Sequence, residues 1–339
     1  FLFGLSAVQT LMYVLIAQHI LQVEGMMWQQ WLIMLTTSCF GNLVGLNISA
    51  GMKTVISIYI LIPLVLVPQL LLGGAMIRFD DLHHSLTKKV YVPVIGDIMT
   101  TRWAYEAMAV EQFRSNRYMK PFFETDMMIS RYDWQSGYLI NQLKRKNNEA
   151  LYASDKPEYE YACRNSLEKL KTHIGELSAE TGLDPARAMM ALNSEPFTRE
   201  ASGIVNECLD SLQKRIRGKF LEQTAVKDSI TDALVAAMGR DELVRLKTAV
   251  YNNDLADIVL SRTVQNKYHE TEERIIQKSD AVLMVPDSRI GRAHFYAPCK
   301  MLGNLRIGTL WFNMMVIWLM NIFLFFTLYY NLLKLLLNL

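Results

Sequence analysis

Residues 54–77 read TVISIYILIPLVLVPQLLLGGAMI, an apolar run with no charged side chain. A helix needs about 20 apolar residues to cross ~30 Å of hydrocarbon, because each residue advances ~1.5 Å and every backbone polar group must be satisfied within the segment. The run meets that length, so its expected solvent is lipid. It also contains Pro63, Pro68, Gly73 and Gly74. Each proline removes a helical hydrogen bond and crowds the preceding turn, so a kink or break is expected there.

The same test selects residues 1–21 (FLFGLSAVQTLMYVLIAQHIL), 31–50 (WLIMLTTSCFGNLVGLNISA) and 307–333. The second of these is rich in small and hydroxyl residues that let helices approach closely, and it carries Asn42 and Asn47. The last contains Trp311, Trp318, Tyr329 and Tyr330, residue types that anchor at the membrane interface.

Taken whole, 339 residues with 51% hydrophobic, 20% charged and a net charge of +2 would suit a soluble protein. The average conceals two solvents. Every Lys and Arg except Lys53 and Lys334, and every Asp and Glu except Glu24, lies between Arg78 and Arg306. Within that stretch the basic residues are interleaved with acidic ones and form no stripe, which argues against nucleic-acid binding. The stretch is too long for an unstructured loop. Apolar residues recur at helical spacing in 158–177, 184–192, 201–223, 227–238, 241–251 and 255–276, and no alternating strand pattern stands out. The expected fold is therefore all-α: four membrane spans plus an inserted soluble helical bundle. The expected divisions are 1–77 for three spans, 78–113 for a membrane-proximal connecting segment, 114–300 for the inserted domain and 301–339 for the last span and C-terminus.

Motifs for chemistry are weak. Gly45 and Gly51 ahead of Lys53 superficially suggest a phosphate-binding loop, but five residues separate the glycines and Met52 precedes the lysine. The adjacent His83 and His84 beside Asp80 and Asp81 cannot share a helix face, and no ligand set is completed around them. His269 lacks the second histidine of a zinc-protease helix, so an exposed helical face is expected there. No catalytic residues and no metal site are assigned. A Cys163–Cys208 disulfide is compatible with an oxidising compartment, and two buried thiols are the plainer alternative.

The segment 41–113 is the most informative. Gly41, Asn42, Leu43, Val44, Gly45 and Leu46 in the second span are followed by Ile62 to Gly74 in the third, then by Pro93 and by residues 102–113, RWAYEAMAVEQF. Together these resemble the permease of type-2 ABC exporters, specifically the G subfamily that includes the White-type pigment and sterol half-transporters. The resemblance implies that the spans correspond to the family's third to sixth. It also implies that an ATP-binding cassette and two further spans precede Phe1, in a longer polypeptide. ATP and Mg would bind that cassette, and none is expected in this chain. Trp103, Tyr105, Glu106, Glu111 and Phe113 fall in the family's short re-entrant segment outside the membrane. Asn42, Asn47, Pro63, Pro68 and Gln69 are the candidates for the substrate path or gate.

The implied partners are a second permease half in a homodimer, the cassette, the lipid bilayer and an external protein for the insert. The family's external loop is far shorter than 114–300, so no role is carried over to that domain. The family order places the insert outside an inner cell membrane. Arg78, Lys88, Lys89, Lys300 and Arg306 on its side, against Lys53 and Lys334 opposite, point the other way, but long loops translocate largely regardless of charge. An alternative from another class is a membrane-anchored helical receptor or assembly module.

Overall fold

The computed structural model describes residues 1–339 apart from 22–24, 84–89, 155, 263, 265 and 338–339. His84, Lys88 and Lys89, raised above, lie outside the described residues. In chain order the helices are α1 (Leu2–Leu21), α2 (Met27–Gly51), α3 (Val55–Leu71), α4 (Val94–Ile98), α5 (Thr100–Arg114), α6 (Phe123–Asp133), α7 (Ile140–Ser154), α8 (Glu160–Thr181), α9 (Ala186–Leu192), α10 (Arg199–Met238), α11 (Arg240–Val250) and α12 (Asn253–Val259). The strands β1 (Tyr268–Glu270), β2 (Ile275–Gln277), β3 (Cys299–Leu302) and β4 (Leu305–Gly308) follow, then α13 (Thr309–Tyr329) and α14 (Leu332–Leu337). The chain is mostly helical.

It divides into two compact units. The first comprises Phe1–Pro121, Arg240–Arg262 and Met284–Leu339, and the second Phe122–Gly239 and Thr263–Leu283. Residues 114–121, 240–262 and 284–300, read from the sequence as part of the insert, thus belong to the unit that holds the membrane helices.

In the first unit α2 packs against α1, α5 and α13, and α13 packs against α5. Among the described residues three helices are long and apolar enough to cross a membrane: Leu2–Ile20, Met27–Gly51 and Thr309–Tyr329. The expectation of a full-length span at 54–77 is corrected. Its helix, α3, has 17 residues, about 25 Å at the helical rise, at the lower limit for a bilayer. The helix is not interrupted at either proline, although each lacks the amide that would close a bond to Tyr59 or Leu64. It stops at Leu71, and Gly74 then takes a left-handed conformation with φ +81°.

Polar side chains stitch the apolar helices together. Asn42 Nδ2 donates to Ser6 Oγ across 2.7 Å, joining α2 to α1. Asn47 Nδ2 donates to the Leu324 carbonyl at 3.0 Å and its Oδ1 accepts from Thr327 Oγ1 at 2.9 Å, joining α2 to α13. Asn321 Nδ2 adds a bond to the Thr36 carbonyl at 3.2 Å.

In the second unit α6 to α10 surround a core that includes Ile140, Leu143, Leu170, Ile174, Val205, Leu209, Leu212 and Ile216, each fully buried. The α10 residues at 202, 205, 209, 212 and 216 alternate steps of three and four, the spacing that keeps one helix face toward a neighbour. The helix begins at Thr198, whose hydroxyl accepts from the Ala201 amide, and runs unbroken for 40 residues through the two segments read separately from the sequence. Asn147 on α7 is fully buried and donates to the carbonyl and hydroxyl of Ser202, both at 3.0 Å.

The expectation of purely helical structure over 255–276 is corrected. The helix ends at Val259, and 268–277 form an antiparallel hairpin pairing Tyr268 with Gln277 and Glu270 with Ile275. Thr271 closes its turn, accepting the Arg274 amide on Oγ1 at 3.1 Å while its own amide donates to the Arg274 carbonyl at 2.8 Å. His269 therefore lies on a strand, and Glu272 and Glu273 in the turn, not on a helical face.

Candidate functional site

The first unit holds a buried cluster of charge where α5, the β3–β4 hairpin and the start of α13 meet. Glu106 on α5 and Lys300 on β3 have no exposed side-chain surface, and Lys300 Nζ donates to Glu106 Oε1 across 2.7 Å. The second carboxylate oxygen accepts from Asn313 Nδ2 on α13 at 2.9 Å. Arg102, one helical turn before Glu106 and 1% exposed, places its guanidinium 3.6 Å from the same carboxylate and 3.6 Å from Asp97. Its Cζ lies 3.8 Å from the centre of the Trp103 ring. Asn313 Nδ2 also donates to the Trp103 carbonyl, and Trp103 Nε1 to the Asp97 carbonyl at 2.8 Å.

Burial alone would push the Glu106 carboxyl up. The Arg102 and Lys300 charges, with hydrogen bonds from Lys300 and Asn313, outweigh it and hold Glu106 below the usual carboxylate range. The carboxylate stays ionised and fixes three elements at one point.

Beside the cluster lies an aromatic group. The Phe295 ring lies 4.2 Å from Tyr296 between centres with the planes tilted, meets Phe79 edge-on at 4.9 Å, and is 6.2 Å from Tyr105. The Tyr105 and Tyr296 hydroxyls are 3.4 Å apart. Two glycines make room for this wall: a Cβ on Gly74 would sit 2.5 Å from Phe295, and one on Gly96 2.9 Å from Phe79. At the end of α3, Gln69 Oε1 accepts from the Thr101 amide at 3.2 Å, and its carbonyl accepts a short bond from Thr101 Oγ1. Gln69 therefore ties α3 to the first turn of α5.

These contacts place the residues singled out from the sequence. Trp103, Tyr105 and Glu106 come together at the junction, while Gln69 reaches it through Thr101. Glu111 accepts from Ser115 Oγ at 2.7 Å, and the buried Phe113 ring lies 6.1 Å from Tyr251. Asn42 and Asn47 face neighbouring helices, and Pro63 and Pro68 sit on α3, no residue of which is buried. Cys163 and Cys208 are free thiols, half-buried against the bundle core, and burial pushes both thiols up. Among the described residues no three His, Cys, Asp or Glu side chains are grouped to hold a metal.

Residues 2–113 match the ABC-2 type transporter family model. The match runs from the first residue of α1 to the last turn of α5. It supports a transmembrane permease of an ABC transporter, embedded in a lipid bilayer and associated with an ATP-binding partner. No curated protein and no solved structure matches the chain.

The matched stretch contains Arg102 and Glu106 but neither Lys300 nor Asn313, which complete the junction from beyond its end. Sequence reasoning passed over both. Asn313 carried a signal, a polar amide in an otherwise apolar span. Lys300 looked like a flanking surface charge.

Proposed function

We propose that this chain is the translocation half of an ATP-driven exporter of the G-subfamily kind, working as a homodimer. Two permeases rock between inward- and outward-open states around a central path, and an ATP-binding cassette charged with ATP and Mg drives the change. The observation that carries this reading is the coincidence of the ABC-2 match with α1 to α5. Cassette closure must favour one state over the other, because a ligand shifts an equilibrium only by its differential affinity.

The two kinds of contact divide the labour. The Glu106 junction makes α5, the β3–β4 hairpin and the start of α13 move together, and Asn42, Asn47 and Asn321 bind α1 and α13 to α2. Motion is left to α3, which has no buried residue and is attached at Gln69. Pro63 and Pro68 allow it to bend. With α3 crossing as well as the three longer helices, the insert lies on the external face.

The test is isolation from membranes in mild detergent followed by crosslinking. Two copies of the chain should be recovered with an ATP-binding polypeptide and vanadate-sensitive ATP hydrolysis. A monomer free of ATPase would sink the proposal and leave the membrane-anchored receptor or assembly module.

A further inference from the structure

We propose that His173 is the acid-sensitive catch of a latch that docks the β1–β2 hairpin onto α8. One face of α8 presents Asn165, Lys169, His173 and Glu176, spaced so that successive side chains lie one above another. Each meets the hairpin. Asn165 Nδ2 donates to the Glu272 carbonyl at 2.9 Å, Lys169 Nζ to Glu270 at 2.6 Å, and Arg274 forms a short ion pair with Glu176. At the centre the Ile275 amide donates to His173 Nε2 across 3.0 Å, and both residues are buried.

An imidazole nitrogen can accept that bond only while it carries no proton. Protonation of Nε2 turns the acceptor into a donor facing a donor and leaves a buried amide without a partner, which is strongly unfavourable. The charged groups around His173 come from each neighbouring element. On α8 these are Lys169 and Glu176, the latter 3.6 Å from His173 Nδ1, and on the hairpin Glu270 and Arg274. Lys146 reaches Glu270 from α7 at 2.8 Å. Arg131 on α6 with Arg215 and Lys219 on α10 meet Glu180, Thr181 and Gly182 at the far end of α8. From α9 and α10 the shared core otherwise receives apolar side chains, Ala191, Leu192, Val205, Leu209 and Leu212 among them.

Glu270 does not titrate in the same range. Burial pushes its carboxyl up, but the hydrogen bonds and charges of Lys146 and Lys169 outweigh that and hold it below the ordinary value. His269 on β1 is the histidine that the hairpin itself carries. The latch is therefore closed at neutral pH and opens as pH falls through the range where imidazole protonates. It frees the segment by which the insert's chain returns toward α13.

Hydrogen exchange on the full chain in detergent tests this at about pH 7.5 and about pH 5.5, either side of the imidazole range, with each amide normalised to its intrinsic rate. Protection at 268–277 should fall at least about tenfold in acid while Val205, Leu209 and Leu212 stay protected. H173Q, whose Oε1 can accept at either pH, should hold the hairpin closed in acid, and H269Q should leave the fall unchanged. No fall in the wild-type chain, a fall that survives H173Q, a fall abolished by H269Q, or loss spreading to α10 would each overturn the proposal. If H173Q weakens α10, nuclear magnetic resonance of the wild-type chain decides. The Ile275 amide shift must follow the same midpoint as His173 Nε2, and separate midpoints overturn the latch.

Discussion

Lys300 and Glu106, far apart in the chain, form an ion pair 2.7 Å long from which solvent is wholly excluded. The attraction between such charges must overcome the loss of their hydration, so a lone partner left behind is far worse than none. Glu106→Ala, which strands Lys300 and leaves Arg102 only Asp97 as a carboxylate partner, should destabilise the first unit by about 3–5 kcal/mol. The paired replacement of Glu106 by Leu and Lys300 by Met should recover a large part of that loss. Unfolding midpoints in detergent, followed by tryptophan fluorescence, measure both. Equal losses in the single and double variants would show that the stranded charge is not what makes the single change costly, and would contradict this account.

Gly74 should resist any side chain. Its φ of +81° disfavours an L-residue, and a Cβ would meet the Phe295 ring. Gly74→Ala should cost at least about 1–2 kcal/mol from the backbone alone. Gly45→Ala, in the interior of α2 with nothing within 4 Å of the added carbon, serves as the comparison and should cost nothing or stabilise slightly, since alanine is the better helix former.

The asparagines test adhesion against gating. If Asn47 holds α2 to α13 and does nothing more, Asn47→Leu should lower stability by about 0.5–1.7 kcal/mol and leave transport-coupled ATP hydrolysis intact. A large loss of turnover with unchanged stability would instead place Asn47 on the path.

The two units differ in how much of them could be read from the sequence. The membrane helices were legible because lipid allows one solution, a long apolar helix, and composition alone reveals it. The apolar run 54–77 outlasts its helix because Gly73 and Gly74, which favour an early helix end, are as apolar as their neighbours, and the approach of Phe295 shows why a glycine stands at 74. The hairpin at 268–277 was missed because its alternation is three residues long on each strand, too short to outweigh the flanking helical spacing. The Glu106 junction was half legible. Arg102 and Glu106 stand one turn apart on one helix face, whereas Lys300 and Asn313 arrive from the far side of the insert, and no local pattern announces such a pairing.

In H173Q, where the hairpin stays docked in acid, the polar contacts along α8 have a pH signature of their own. Because Glu270 is held below its ordinary value, its contribution is fully present above the usual carboxylate range and is lost as pH falls through the lowered value. Added to H173Q, Lys169→Met removes one of the two charges responsible, so acid unfolding of the bundle should begin at a higher pH than in H173Q alone. Circular dichroism against pH, starting below the imidazole range, reads the shift. An unchanged acid transition would remove Glu270 from the set of groups that stabilise the bundle.

The second unit, which has a continuous core of its own, should fold without the membrane helices. The piece to express is 122–283 with 240–262 replaced by a flexible linker, since those residues belong to the first unit. A soluble helical product with a cooperative melt is expected. Recovery only as detergent-dependent or disordered material would remove the claim of independence.

The membrane path of the chain is most directly tested at Glu149, whose side chain is 56% exposed on α7. In a background with Cys39, Cys163, Cys208 and Cys299 replaced, Glu149→Cys is treated on intact cells with a membrane-impermeant thiol reagent, after outer-membrane permeabilisation where the host is Gram-negative. The proposed topology counts the short α3 as a fourth crossing and sets Lys53 and Lys334 on the cytoplasmic face, so the insert would lie outside and labelling should be complete before the inner membrane is broken. Labelling that appears only after that membrane is opened would contradict the permease topology.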